Sequence, residues 1–259
     1  MNFKKKEIKI QAPRLVIYGE TGLGKSTWAS YAKNPFFLDI EKNIPHLEGF
    51  GCEEIDSYEQ LVKILYEIRN SNFPYNTIVI DSLTFLEKII KKHACDKLRV
   101  HDISQAAHGK GYEFIRKCFN DVLDTLYQIN VQKNIMIIYT GHPTKDSFVS
   151  TSHNGDKINL SLDKEMRRVL FANSNCIFYF SEDFYEKDKK GRGVIFTQPT
   201  DIFVAKSIFN LPFKMPVSID DKIEEGYQFF RQKLEEYFSS YKVSKEEIIS
   251  SENEIDKKQ

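Results

Sequence analysis

RLVIYGETGLGKS, Arg14 to Ser26, is the stretch that decides the fold. Five residues, Arg14–Tyr18, form a short apolar run that ends in glycine, and the run opens directly into G-x-x-x-x-G-K-[ST]. That spacing is a phosphate-binding P-loop when it follows a strand and starts a helix, and Lys25–Lys33 reads as that helix. Gly19, Glu20, Thr21, Gly22, Leu23 and Gly24 would wrap backbone N–H groups around phosphate oxygens, and the helix N-terminus adds partial positive charge. Lys25 would reach the β- and γ-phosphates, Ser26 would ligate Mg²⁺, and Thr27 completes the nucleotide-binding run.

Working outward, strand and helix patterns alternate. Phe36–Ile40 is a second apolar run, and Tyr58–Arg69 carries Leu61, Ile64, Leu65 and Ile68 at helical spacing. Thr77–Ile80 reads as a buried strand, Leu83–Leu98 and Tyr112–Asn130 as helices, and Ile135–Tyr139 and Cys176–Phe180 as two more buried strands. Short continuous apolar strands separated by helices predict an α/β fold with a mostly parallel central sheet flanked by helices. After residue 182 a charged turn, Glu186–Gly193, sits between Phe184–Tyr185 and Val194–Thr197 and predicts a β-hairpin. Asp201–Ile208 is a further strand candidate, and Ile223–Phe238 is an amphipathic helix. No repeat or linker splits the chain, so residues 1–240 read as one domain and 241–259 as a flexible charged tail that frays from Ser239 onward.

Two acidic positions stand at strand ends, where ligands bind in such sheets. Asp81 ends Thr77–Asp81 and would face Ser26 across Mg²⁺, while it or Ser82 could also cap the helix from Leu83. Asp39 and Glu41 end the second strand at period-two spacing, which puts both carboxylates on one side. A carboxylate there could polarise water for attack on a γ-phosphate, or serve as a solvated end or turn cap.

Composition excludes several classes. The chain of 259 residues carries 37 Lys+Arg against 37 Asp+Glu, so it does not coat polyanions with its whole surface. The lysine-rich N-terminus, with Lys4–Lys6, has no apolar segment of a signal peptide, and no long apolar run would cross a membrane. Cys52, Cys95, Cys118 and Cys176 form no zinc spacing and read as reduced thiols of a cytoplasmic protein.

P-loop, then FLDIE, then IVIDS resembles the RecA-like recombinase core. The ordered set, extended by HGKGY, a strand ending TGH, and VAKSIFNLP, is closer to phage-encoded RecA-like nucleotide-binding proteins of single-strand annealing and recombination, over about residues 12–213. The resemblance implies a RecA-like P-loop NTPase core with a C-terminal hairpin and helix, using ATP and Mg²⁺. It implies Glu41 as catalytic base, His142 as a sensor of the γ-phosphate, and Lys206 as the cation that a neighbouring subunit adds to the ATP site. No arginine finger matches; Arg167 and Arg168 lie on a predicted helix and read as solvated or paired.

The same resemblance puts DNA-contacting loops at Arg99–Gly111 and Pro143–Ser161. The first offers Arg99, His101, Lys110 and Tyr112, and the second Lys145, Phe148, His153 and Lys157, a mixture of cations and aromatics that suits a single strand. The second loop is formally neutral, with Lys145 and Lys157 against Asp146 and Asp156. Affinity per subunit should therefore be modest, and useful binding would come from a ring or filament of linked copies, with a single-strand-binding protein as a further partner. Two other readings compete: a nucleotide-switched regulatory protein, and a small-molecule P-loop kinase. The second is disfavoured because residues 143–161 hold no arginine for a lid.

Overall fold

A computed structural model of the chain describes residues 10–44, 47–48, 50–106, 109–149, 154–182 and 193–256. Along the chain the elements are β1 (Arg14–Gly19), α1 (Lys25–Ser30), β2 (Pro35–Asp39), β3 (Gly51–Glu54), α2 (Tyr58–Asn70), β4 (Thr77–Asp81), α3 (Leu83–Leu98), α4 (Lys110–Lys133), β5 (Met136–Gly141), β6 (Pro143–Val149), β7 (Asn154–Leu160), α5 (Lys164–Asn173), β8 (Cys176–Ser181), β9 (Val194–Phe196), β10 (Lys206–Ser207), β11 (Lys214–Pro216) and α6 (Ile223–Asp256). The large sheet runs β11-β9-β8-β1-β5-β4-β2-β3, with β10 also on β8. From β8 to β3 every pairing is parallel, while β9, β10 and β11 pair antiparallel. The fold is thus mixed α/β with a mostly parallel central sheet flanked by helices.

Alternation along β1 decides which core each residue enters. Val16 and Tyr18 face a layer that includes Ile80, Leu86 and Phe119, and Leu15 and Ile17 face one that includes Trp28, Phe178 and Phe230. Both faces of the sheet are covered, which is why its strands read as continuous apolar runs. The strand order also sets the site. β5 lies between β1 and β4, so its carboxyl end, Thr140–Gly141, separates the P-loop from Asp81.

Several expectations need correction. Pro143–Ser161 is not an irregular loop: β6 and β7 pair as an antiparallel ribbon from Pro143↔Leu160 to Val149↔Asn154. Its residues are mostly polar because the ribbon forms a sheet of its own, joined to the rest of the protein through Leu160, which is buried, and Ile158, which packs on the core and bridges Phe203. β3 went unread because Gly-Cys-Glu-Glu at a sheet edge is largely exposed and carries no apolar pattern. Of Asp201–Ile208 only Lys206–Ser207 pairs as a strand, beside a bridge at Phe203. Arg99–Gly111 contains a short 3-10 turn at Ile103–Gln105, closed by a capping box from Asp102. The α6 backbone runs as a helix past Ser239 to Asp256, a stretch without glycine or proline.

β8 and β9 pair antiparallel at Ser181↔Val194, as a hairpin requires, while most of its turn lies outside the described residues, as do Lys4–Lys6, His153 and the Phe148 side chain. Among the described residues no helix is long and apolar enough to cross a membrane.

Candidate functional site

The P-loop is shaped by close approach. Gly24 takes φ +77 at the start of α1, and a Cβ there would lie 2.6 Å from Ile223 Cδ1. Gly19 pairs with Phe180, and a Cβ on it would lie 2.3 Å from the Phe180 carbonyl oxygen. Neither position tolerates a side chain, so the motif's glycines answer to packing as well as to phosphate. Lys25 is 8% exposed, and its ammonium donates to the carbonyls of Gly19 at 2.8 Å and Glu20 at 2.7 Å. Burial lowers its pKa, against the pull of Asp81, Glu41 and Glu20. An ammonium held only by carbonyl dipoles is ready to exchange them for phosphate oxygens.

Across the cleft, Asp81 is 4% exposed. Burial raises its pKa, opposed by the neighbouring hydroxyls of Ser26 and Thr140. The Thr140 hydroxyl donates to Asp81 Oδ1 at 2.5 Å, whereas Oδ2 is buried without a partner. A buried carboxylate oxygen with no donor, next to the Ser26 hydroxyl, fits a hard divalent cation that takes oxygen ligands and keeps several waters. Ser26 and Asp81 are therefore suited to hold Mg²⁺.

The strand-end carboxylates separate by role. Asp39 accepts the Lys42 N–H at 2.7 Å and caps the turn after β2. Glu41 reaches the cleft because the Asp81 carbonyl accepts N–H bonds from both Ile40 (2.7 Å) and Glu41 (2.9 Å). Its side chain accepts from Ser82 Oγ at 2.6 Å and Asn43 Nδ2 at 2.8 Å, and lies 3.0 Å from His142 Nε2. Burial pushes this carboxyl up, but hydrogen bonds from His142, Ser82 and Asn43 outweigh it and hold the pKa at about 2. An ionised carboxylate only accepts, so His142 carries its proton on Nε2 toward Glu41, and its Nδ1 stands 3.5 Å from the Thr21 hydroxyl. Ser82 occupies the N-cap position of α3 without a side-chain cap bond, since its hydroxyl serves Glu41 instead. Neither Asp81 nor Ser82 is thus the side-chain cap that the sequence allowed.

Thr21, Gly22, Gly24, Lys25, Ser26, Thr27, Glu41, Asp81 and His142 line one cleft of about 330 Å³. Sequence reasoning missed three of its contributors, Asn43, Ser82 as the anchor of Glu41, and Thr140. Thr140 had a signal in the TGH strand end; Asn43 had none.

Other candidates lie elsewhere. Lys206 pairs with Ile177 on β8, and its ammonium donates to the carbonyls of Phe171 (3.0 Å) and Ser174 (2.8 Å) at the carboxyl end of α5. That is a helix-end role within its own chain, not a place in its own phosphate cradle. Arg99 and Lys110 are exposed at the end of α3 and the start of α4, Lys145 is exposed on β6, and Lys157 is half-buried on β7. Arg167 is 7% exposed and clamps the ribbon, donating to Leu160 O at 2.7 Å and Asp146 at 2.5 Å, and Arg168 pairs with Glu165.

Compared with known proteins, residues 11–209 match the family model described as an AAA domain. The SPbeta prophage-derived uncharacterized protein YorG of Bacillus subtilis (strain 168) is 22% identical over 180 residues, 68% of this chain. The chain spans 53% of that relative's length. A crystal structure of the RadB recombinase aligns with a TM-score of 0.47 at 14% identity, covering 81% of this chain and 90% of that one.

Proposed function

We propose, for a chain that belongs to the AAA domain family, a Mg²⁺-dependent ATPase of the RecA-like type whose cycle is coupled to single-stranded DNA. The observation that carries this reading is the convergence of Lys25, Ser26, Asp81, Glu41 and His142 on one cleft at the carboxyl ends of β1, β2, β4 and β5. The cradle amides and Lys25 bind the phosphate tail, Lys25 leaving the Gly19 and Glu20 carbonyls to do so. Held by Ser26 and Asp81, Mg²⁺ would supply charge neutralisation on the phosphates. Glu41, ionised and fixed by three donors, takes the proton of the attacking water and orients its oxygen toward the γ-phosphate. His142, between Thr21 and Glu41, is the side chain that a γ-phosphate meets beside the base.

Coupling to DNA is supported by where the ribbon is rooted. β6 begins one residue after His142, and Ser161 N–H donates to the His142 carbonyl at 2.8 Å. A displacement of His142 on nucleotide binding therefore reaches both strands of the ribbon that bears Lys145 and Lys157. The prophage origin of the YorG relative supports a setting in mobile-element recombination or annealing. ATP turnover measured with and without single-stranded DNA, for wild type and Glu41→Gln, tests the reading. DNA stimulation that disappears in Glu41→Gln is the expected result. Turnover that ignores DNA, with no binding at low salt, would instead assign the ribbon to a protein partner.

A further inference from the structure

Arg167 is a buried cation that the chemistry of the cleft does not use. It projects from α5, is 7% exposed, and donates through one guanidinium nitrogen to the Leu160 carbonyl on β7 (2.7 Å) and through another to Asp146 Oδ2 on β6 (2.5 Å). The ribbon register gives the second bond a consequence. Asp146 stands directly opposite Lys157, and residues that face each other across an antiparallel pair share one side of it. Opposite charges so placed form a cross-strand ion pair. In the fold Asp146 accepts instead from Arg167 and Asn159, and among the described residues Lys157 makes no ion pair. We infer that Arg167 is a positioning residue for the ribbon: by taking Asp146 from Lys157 and holding both strands, it presents the Lys157 ammonium to a phosphate of single-stranded DNA. The inference rests on the DNA-coupled reading and names the residue that prepares the ribbon for it.

Three observations support it. The first is the difference in burial between the two cations that compete for Asp146. An exposed cross-strand pair contributes little against water, whereas a buried guanidinium stripped of its carboxylate is strongly disfavoured. Arg167 is buried and Lys157 only half-buried, so Asp146 stays with Arg167. The second is that the clamp is anchored at its own end. Asp163, the N-cap of α5, accepts from the Glu165 and Met166 amides and from Arg116 on α4, which fixes the helix that carries Arg167 independently of the ribbon. The third is that β7 is pinned next to Lys157. Ile158 N–H donates to the Ile202 carbonyl at 2.7 Å, and the Ile158 carbonyl accepts from Val204 N–H at 3.1 Å. Lys157 thus precedes a residue tied through both of its backbone groups, and its ammonium is the free end of a fixed strand. A fixed, unpaired ammonium suits a phosphodiester, which recognises cations by charge.

The test measures single-stranded DNA affinity by anisotropy titration over a range of salt, with ATP turnover in the absence of DNA as the control. Arg167→Gln releases Asp146 to Lys157. It should weaken DNA about threefold to tenfold, flatten the slope of log affinity against log salt by about 0.7, and leave turnover without DNA within about twofold. Adding Asp146→Asn to Arg167→Gln should restore affinity to within about twofold of wild type, a rescue that a merely structural role for Arg167 would not give. Asp146→Asn alone keeps an acceptor oxygen for Arg167 and should change affinity by less than about twofold, because that charge is already taken. If charge count alone mattered, the same substitution would tighten DNA equally in both backgrounds. Arg167→Lys keeps a cation for Asp146 and should bind DNA within about threefold of wild type. Should Arg167→Gln fail to fold, Asp146→Asn and Arg167→Lys decide between the two accounts. Arg167→Gln that binds like wild type, a loss that Asp146→Asn does not reverse, Asp146→Asn that alone tightens DNA about fivefold or more, or Arg167→Lys that loses about tenfold, would each overturn the inference and leave the DNA-coupled reading in place. Wild type that binds no single-stranded DNA at low salt would overturn that reading, and the role of Arg167 with it.

Discussion

Replacing Glu41 by glutamine separates a chemical role from a structural one in a single variant. Glu41→Gln keeps the side-chain length and one acceptor oxygen but loses the charge that Ser82, Asn43 and His142 hold. As general base its loss should lower kcat for ATP by about 10²- to 10⁴-fold. KM should stay within about threefold, since Lys25 and the cradle amides are untouched. The same charge contributes to stability, because its folded pKa of about 2 lies below the ordinary value of 4.5. A depressed carboxylate pKa stabilises the fold above the unfolded value, and the contribution is lost as pH falls through the folded value. The side chain is 10% exposed, and after discounting for solvent screening the contribution is about 2 kcal/mol. Urea unfolding of wild type between pH 6 and about pH 2 should lose that amount from this group, and Glu41→Gln should lack that portion of the slope. A variant that retains half of wild-type turnover would refute the base assignment. Parallel acid-stability curves for the two proteins would refute the claim that these three donors set the charge.

Three further outcomes test the remaining residues. Asp81→Asn should abolish Mg²⁺-dependent turnover yet raise the melting temperature without nucleotide. The folded pKa of Asp81 is raised by burial, so its ionised form destabilises the nucleotide-free fold at pH above the unfolded value, and an amide removes that cost. Lys206→Met should lower stability by about 1–2 kcal/mol, through two lost bonds to the end of α5, and leave kcat unchanged; full stability with lost turnover would instead support a role in a neighbouring subunit's ATP site. Lys145→Ala with Lys157→Ala should weaken single-stranded DNA and flatten the slope of log affinity against log salt by about 1.4, measured by anisotropy titration.

Ribbon electrostatics show how tertiary contacts revise a charge count. By sequence, Lys145 and Lys157 are cancelled by Asp146 and Asp156. In the fold, Asp146 accepts from Arg167 and Asn159, so its charge is matched from α5, and Asp156 accepts from Ser147. Arg167 lies seven residues beyond the ribbon, on a predicted helix that marks it only as solvated or paired. The result is a ribbon more basic than its own residues imply, though still weakly so, and the expectation of modest, salt-sensitive binding per subunit stands.

The sequence by itself determined the P-loop, the parallel α/β core and the acids at the strand ends. Each of these is local: a glycine spacing that sterics demand, or an apolar run that both faces of a sheet demand. Tertiary structure alone decided which acid does what. Asp39 and Glu41 look equivalent at period-two spacing, and it is the pair of N–H hydrogen bonds from Ile40 and Glu41 to the Asp81 carbonyl that turns one into the cleft and leaves the other as a turn cap. Tertiary structure also decided that Ser82 and Asn43 hold Glu41, that Lys206 ends α5, and that Arg167 takes Asp146. Apart from Asn43, two residues from Glu41, those roles arise from groups far apart along the chain, and no pattern within a segment encodes which distant carbonyl or carboxylate a side chain will meet.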